Sequence, residues 1–254
     1  NIEALGVKYD EIEKIILSHG HFDHFGGLTA IIPKLNEGSK IYLHKTCFDQ
    51  YHIIFNLTEK RIPVNELSSN LEELTREGRI KHRKLERLDR DVIYDLANKN
   101  AVEIIETSKS MQIHEGIIAS GEIEILDKDE VSKGFYSEKN PKLFEEHTFR
   151  DEISLYINIE DKGLVILTGC GHVGIVNTIK HAQKITRIKK VHAIIGGFHK
   201  ENLSSEAIKS AVGFIEQLDP KVTCGVHCTG FEFNRAMRNH ASHTLGVVGT
   251  EFRL

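Results

Sequence analysis

Four side chains able to bind a metal ion, His19, His21, Asp23 and His24, fall within the stretch Ser18-His19-Gly20-His21-Phe22-Asp23-His24-Phe25-Gly26-Gly27. Neutral imidazole and carboxylate suit zinc, iron or manganese, and a centre of one or two such ions needs several ligands this close together. Ions held there would lower the pKa of a bound water and polarise a phosphoryl or carbonyl group. The apolar run Ile15-Ile16-Leu17 just ahead reads as a buried strand. On an extended backbone His19 and His21, two apart, point to one side. Asp23 and His24 follow where the strand must break, and a turn there can bring them back toward the same point. Gly26 and Gly27 then let the chain turn before the next apolar pattern.

This is an H-x-H-x-D-H motif. Three later stretches accompany it: Leu167-Thr168-Gly169-Cys170-Gly171-His172-Val173-Gly174-Ile175-Val176-Asn177, Ile195-Gly196-Gly197-Phe198-His199 and His227-Cys228-Thr229-Gly230. On these residues the chain resembles the metallo-β-lactamase-fold superfamily. Within it the chain is similar to the branch of 7,8-dihydropterin-6-methyl-4-(β-D-ribofuranosyl)aminobenzene-5′-phosphate synthases, a methanopterin-biosynthesis assignment. The resemblance runs along the whole chain and is weakest between Gln50 and Asn100. It implies an α+β fold, a four-layer αββα sandwich, with ligands on loops at one edge, where function concentrates. It also implies strands ahead of the motif. The chain starts at Asn1, so it is expected to lack the N-terminal strands of that fold and to leave a sheet edge unpaired. The implied cofactors are one or two divalent metal ions, zinc foremost, with iron or manganese as alternatives.

The resemblance also implies how the later histidines are used. His172 is the fifth expected metal ligand. His227 stands where the superfamily supplies its last histidine, and is the sixth. Cys170 holds the position where many members place a bridging aspartate. A thiolate there can ligate zinc or iron, and a buried structural cysteine is the other reading. His44 closes a strand in a position where a histidine often lies near the site, either supporting it or simply capping. His147 precedes a hairpin where other branches have a ligand, in unlike surroundings. His199 lies at a strand end beside a glycine pair, and is the expected catalytic partner of Asp23. Asp23 would ligate and orient, and His199 or a backbone N–H would stabilise developing negative charge. The branch also offers a transfer variant, in which the ions bind a pyrophosphate leaving group while an aromatic amine or ring attacks. The same ligands serve either reaction.

Composition narrows the partners. The 254 residues carry 33 basic and 37 acidic side chains, a formal net charge of −4. That gives no electrostatic case for nucleic acid or a membrane surface. No run of apolar residues is long enough to span a bilayer. Four cysteines in a chain of this length are no disulfide framework, and a reducing, cytoplasmic setting is the default. The expected partner is a small phosphorylated molecule, with a homo-oligomer left open. A thioester or lactone hydrolase on the same scaffold is the competing activity, and a metal-stabilised binding protein the non-enzymatic one.

The elements that must position these residues follow from the patterning. Asn1 to Asp10 reads as the end of a helix. Leu28, Ile31, Ile32 and Leu35 have helical spacing, interrupted by Pro33. Residues 45–100 read as a helical and charged insertion in a single domain spanning 1–254. Within it Asn70 to Gly78 is a capped helix, and Arg79 to Asp91 a solvated helix or connector. From Ala101 the pattern turns to strands at 101–106, 112–118 and 121–125. Ile153 to Ile159 alternates, Asp161-Lys162-Gly163 is a turn, and Leu164 to Leu167 is a buried strand, together a hairpin. Helices are expected at 176–188, from Ser204 or Ser205 to Asp219-Pro220, and around Phe233 to Met237. Strands are expected at 191–195, 222–226 and 245–254.

Overall fold

The computed structural model describes residues 2–140, 143–201 and 203–254. The first half runs β1 (Lys14–Ile16), α1 (Phe22–Phe25), α2 (Leu28–Ile31), β2 (Lys40–Leu43), β3 (Gln50–Asn56), α3 (Val64–Arg76), β4 (Ile80–Lys84), α4 (Arg90–Lys99) and β5 (Glu103–Glu106). It continues through β6 (Met111–His114), β7 (Ile117–Ala119), β8 (Phe135–Asn140), β9 (Leu143–Glu146), β10 (Leu155–Ile159) and β11 (Gly163–Thr168). The chain then alternates α5 (Ile175–Thr186), β12 (Val191–Gly197), α6 (Ser205–Leu218), β13 (Val222–Val226) and α7 (Phe231–Met237).

The strands form three sheets, ordered β1-β2-β5, β13-β12-β11-β10-β7-β6 and β4-β3-β8-β9. Two of them make the expected αββα layering. On the outer face of β1-β2-β5, Leu28, Ile32, Ile93 and Ala97 pack against Ile41 and Leu43. Against the six-stranded sheet, Ile175 and Ile179 of α5, Ala211 and Ile215 of α6, and Phe233 and Met237 of α7 cover Leu164, Ile166 and Ile194. Burying such side chains stabilises by roughly 1.5–3 kcal/mol each. The hairpin falls where the alternation placed it, with Leu155 opposite Leu167 and Ile159 opposite Gly163. β11, β12 and β13 are parallel, so all three end at the same edge of the sheet. Ser204 caps α6 by accepting the Ala207 N–H, as its position predicts. No helix among the described residues is long and apolar enough to cross a membrane.

The expected insertion over 45–100 is not a single helical block. Its middle, β3, α3 and β4, joins β8 and β9 in the third sheet, and α4 at its end belongs to the outer layer of the first. Arg79 to Asp91 forms no solvated helix; it holds the edge strand β4 and then the Asp89 cap of α4. Alternation explains the strand: Ile80 turns inward while Lys81 and Arg83 face water, and charge on an edge strand discourages pairing with other chains. α3 begins at Val64 rather than Asn70, and Asn70 marks an internal kink with φ −130°. Residues 121–125 form no strand, and just beyond them the Leu126 and Asp127 N–H groups donate to Asn177 Oδ1 rather than to a neighbouring strand. Residues 245–254 form no strand either. Beyond an isolated bridge from His243 to Thr223 the chain turns at Gly249, with φ 90°, and leaves Leu245, Val247 and Val248 exposed. Short 3₁₀ turns at Glu3–Leu5 and Tyr9–Glu11 replace the expected N-terminal helix end.

Candidate metal centre

The first ligand loop leaves the C-terminal end of β1, where the Leu17 N–H donates to Tyr42 O and extends the strand. The backbone then passes close to another loop. A Cβ on Gly20 would lie 2.3 Å from Cys47 O, so only glycine fits between His19 and His21. α1 starts immediately after His21, and its first turn carries Asp23 and His24. From the other sheet, β11 leads into Cys170 and His172, His199 follows the end of β12, and His227 directly follows β13. A Cβ on Gly169 would lie 2.4 Å from Ser18 Oγ, so the two ligand loops touch backbone to side chain. His199 and His227 both have positive φ, 41° and 53°, a strained backbone found mainly at functional positions.

These loops bring the side chains into adjoining groups, in each of which the ligand atoms lie within 4.8 Å of one another: His19, His21 and His172; Asp23, His24, Cys170 and His227; and Cys170, His172 and His199. The first group is buried. The second opens to solvent, with the side chains of Asp23 58% and His227 42% exposed. Within it His24 Nε2 is 3.2 Å from His227 Nε2 and 3.1 Å from Cys170 Sγ, and His227 Nε2 is 3.2 Å from Asp23 Oδ2.

The donor set fits a divalent cation. Among the described residues, His21 Nε2, His172 Nε2 and His199 Nδ1 are buried with no hydrogen-bond partner. Leaving such atoms unpaired costs about 1–3 kcal/mol each, which a bound cation would offset. Burial lowers the pKa of His21 to about 4 and holds His19 and His172 well below the ordinary value. Their imidazoles are therefore neutral at pH 7, the form that ligates.

Two expected candidates fall outside these groups. His44 is fully buried, but its Nδ1 pairs with Thr46 Oγ1 at 2.8 Å and its Nε2 with Glu122 Oε1 at 3.2 Å. Both ring nitrogens are engaged, so His44 is no ligand; it caps the turn after β2. His147 packs on Tyr51, with ring centroids 4.3 Å apart, and its Nε2 lies 3.3 Å from Asp151 Oδ1.

Asp151 and Glu152 are the residues that motif reading missed. Asp151 accepts the Gly20 N–H at 2.8 Å and the Tyr51 hydroxyl at 3.2 Å, so it holds the first ligand loop. Glu152 accepts the His172 and Val173 N–H groups, both at 2.8 Å, and holds the second. Burial pushes Asp151 up, but His147 and the Gly20 N–H outweigh it and keep the carboxyl low. For Glu152 burial wins over its two N–H donors and raises the pKa to about 7. The sequence signal was two adjacent acids directly before a strand buried on one face.

Cys170 has a direct test. In a Cys170→Ser variant we expect zinc to bind more than about 10-fold more weakly, since even partners outside the coordination shell contribute that much. Competition with a chromogenic chelator measures it. Unchanged stoichiometry and affinity would make Cys170 a packing residue.

A mixed sandwich whose two sheets present histidine-rich loops at one edge is the architecture of a metallo-β-lactamase, and the chain belongs to the metallo-β-lactamase superfamily; the superfamily profile matches residues 2–96. Its branch is shown by a relative from Methanocaldococcus jannaschii, 7,8-dihydropterin-6-methyl-4-(β-D-ribofuranosyl)-aminobenzene-5′-phosphate synthase. The two are 34% identical over 236 residues, covering 91% of this chain and 71% of the relative. An uncharacterised protein of the same organism is 27% identical over 241 residues, covering 92% and 78%. A crystal structure described as a metal-dependent hydrolase of the β-lactamase superfamily superposes with a TM-score of 0.74 at 21% identity, covering 100% of this chain and 83% of that one. That likeness bears on the fold alone.

Proposed function

We propose that the chain is a metal-dependent enzyme acting on a pyrophosphate or phosphate ester, and that its reaction is the synthase step named for its relative. One observation carries the metal-dependent reading: eight side chains from four separate segments converge in adjoining groups at one sheet edge. The 34% identity to the synthase supports the substrate. In that step an arylamine nitrogen forms a bond to the methyl carbon of a dihydropterin as the carbon–oxygen bond to pyrophosphate breaks, and the amine loses a proton.

His19, His21 and His172 would hold one zinc, and Asp23, His24, Cys170 and His227 a second, with iron or manganese as the alternatives. Metal ions bound there would neutralise charge developing on phosphoryl oxygens. The chain's own residues do the rest. Asp23 and His227 stand at the solvent-facing mouth, where a charged leaving group can enter and depart. His199, beside Cys170 and His172, would stabilise negative charge forming there. Asp151 and Glu152 keep the two loops in register through backbone N–H groups. All four cysteines are free thiols, which suits a reducing, cytoplasmic setting.

The open mouth also admits water, which favours hydrolysis of a thioester, lactone or phosphodiester as the second reading. Elemental analysis of the purified protein comes first. Pyrophosphate release from a dihydropterin methyl pyrophosphate with the arylamine acceptor is then assayed beside hydrolysis of bis(4-nitrophenyl) phosphate. Amine-dependent pyrophosphate release supports the synthase. Hydrolysis alone replaces it with the second reading, and protein that neither contains nor takes up metal removes both.

A further inference from the structure

One hydroxyl touches a ring from each of two ligand groups. Ser18 Oγ lies 3.1 Å from His19 Nδ1 and 3.0 Å from His24 Nδ1. His19 belongs to the buried group with His21 and His172, and His24 to the open group with Asp23, Cys170 and His227. The far nitrogen of each ring faces its fellow ligands. His19 Nε2 is 3.1 Å from His21 Nδ1, and His24 Nε2 is 3.1 Å from Cys170 Sγ and 3.2 Å from His227 Nε2. Ser18 therefore meets both rings on the side away from the ligand atoms.

The main chain sets where this hydroxyl sits. The Ser18 carbonyl accepts the Ile153 N–H at 2.7 Å, from the segment that follows Asp151 and Glu152. A Cβ on Gly169 would lie 2.4 Å from Ser18 Oγ and 2.5 Å from Ser18 Cβ, so only glycine there leaves room for the side chain.

Proton placement gives the hydroxyl its role. A neutral imidazole that ligates through Nε2 carries its hydrogen on Nδ1. When His19 and His24 both ligate, two N–H groups point at one oxygen, and a serine oxygen has two lone pairs to accept them. If the hydroxyl hydrogen is instead donated to either Nδ1, that ring carries its own hydrogen on Nε2, where it blocks ligation. A partner on the second nitrogen commonly fixes the tautomer and orientation of a ligating histidine.

We infer that Ser18 is a positioning residue shared by the two metal groups, its hydroxyl oxygen accepting the Nδ1–H of His19 and of His24 and so presenting both Nε2 atoms to metal. This role rests on the metal-dependent reading and adds to it a residue outside the ligand groups. Ser132 gives the contrast. Its Oγ lies 3.3 Å from His172 Nδ1 and its backbone N–H donates to His172 O at 2.8 Å, so it supports one ligand ring of the buried group.

The test is zinc titration against a chromogenic chelator, joined to proton–nitrogen NMR of the imidazole N–H groups. Ser18→Ala is expected to weaken both zinc equivalents by about 10-fold each, and Ser132→Ala only one of them. In the zinc-loaded parent, the Nδ1–H protons of His19 and His24 are expected to exchange slowly with water. In Ser18→Ala both are expected to move upfield and exchange faster, which a role in packing alone would not produce. The parent spectrum stands whether or not the variant folds: a fast-exchanging Nδ1–H on either ring overturns the shared role. Unchanged zinc affinity in Ser18→Ala, or weakening of one equivalent alone, also overturns it and leaves the metal-dependent reading in place. A parent that holds a single equivalent overturns it too, because one ion has no second group to share. A parent that takes up no zinc removes the metal-dependent reading itself, and this role with it.

Discussion

Replacing Asp23 with alanine lowers turnover by about 1,000-fold and removes one of the bound metal equivalents, while the fold survives. The fold is safe because the Asp23 side chain is 58% exposed and sits in the first turn of a four-residue helix, with only His24 and His227 among the described residues within ion-pairing distance. Surface substitutions of this kind change stability by about 0.5 kcal/mol or less. The activity is not safe, because Asp23 is the one carboxylate among the grouped ligand atoms. Losing it removes negative charge that would hold a cation at the open mouth. A loss of several kcal/mol of transition-state stabilisation corresponds to the stated factor of about 1,000. Metal per chain, thermal unfolding and initial rates read the three consequences separately. Full turnover with unchanged metal content would remove Asp23 from the mechanism.

What was legible in the sequence divides by range. The hairpin Leu155–Thr168, α6 with its Ser204 cap, and strands β12 and β13 rest on local periodicity and turn residues. The third sheet was illegible because its central pairing joins Gln50–Ile53 to Phe135–Glu138, far apart in the chain, and because β4 is mostly charge. No single-strand pattern announces such a partner. The site divides similarly. A motif places His19 to His24, and strand ends place His172, His199 and His227. His44 also ends a strand, and only its two hydrogen bonds, to Thr46 and Glu122, set it apart from a ligand. Asp151 and Glu152 look like surface acids until burial shows that each carries backbone N–H groups of a ligand loop. Cys228 flanked a histidine in sequence; in space its Sγ donates to Cys170 O at 3.3 Å, which ties the β13 loop to the β11 loop.

The largest loss of stability is expected from Lys200→Met. Lys200 is wholly buried and Glu130 nearly so, and Nζ lies 2.7 Å from Oε2. That same oxygen accepts the Val176 N–H at 3.2 Å in the first turn of α5. The corner is tight, since a Cβ on Gly174 would lie 2.4 Å from Glu130 Cβ. Lys200 directly follows His199, so the pair fixes the end of β12 to the start of α5, and with them the loops carrying His199 and His172. Methionine fills similar volume but leaves the Glu130 carboxylate buried without its partner. Breaking a buried pair from one side costs about 3–5 kcal/mol, which in a chain of this size lowers the melting temperature by roughly 10 °C. Glu130→Gln/Lys200→Met leaves no charge behind, so it should recover most of that loss. Thermal and urea unfolding of the single and double variants measure both. A Lys200→Met protein as stable as its parent, or a double variant no more stable than the single, would show that the charge is not what makes this corner costly to break. Recovery of stability without recovery of turnover would instead separate the two roles of the pair: holding the fold together, and setting the angle at which His199 enters the site.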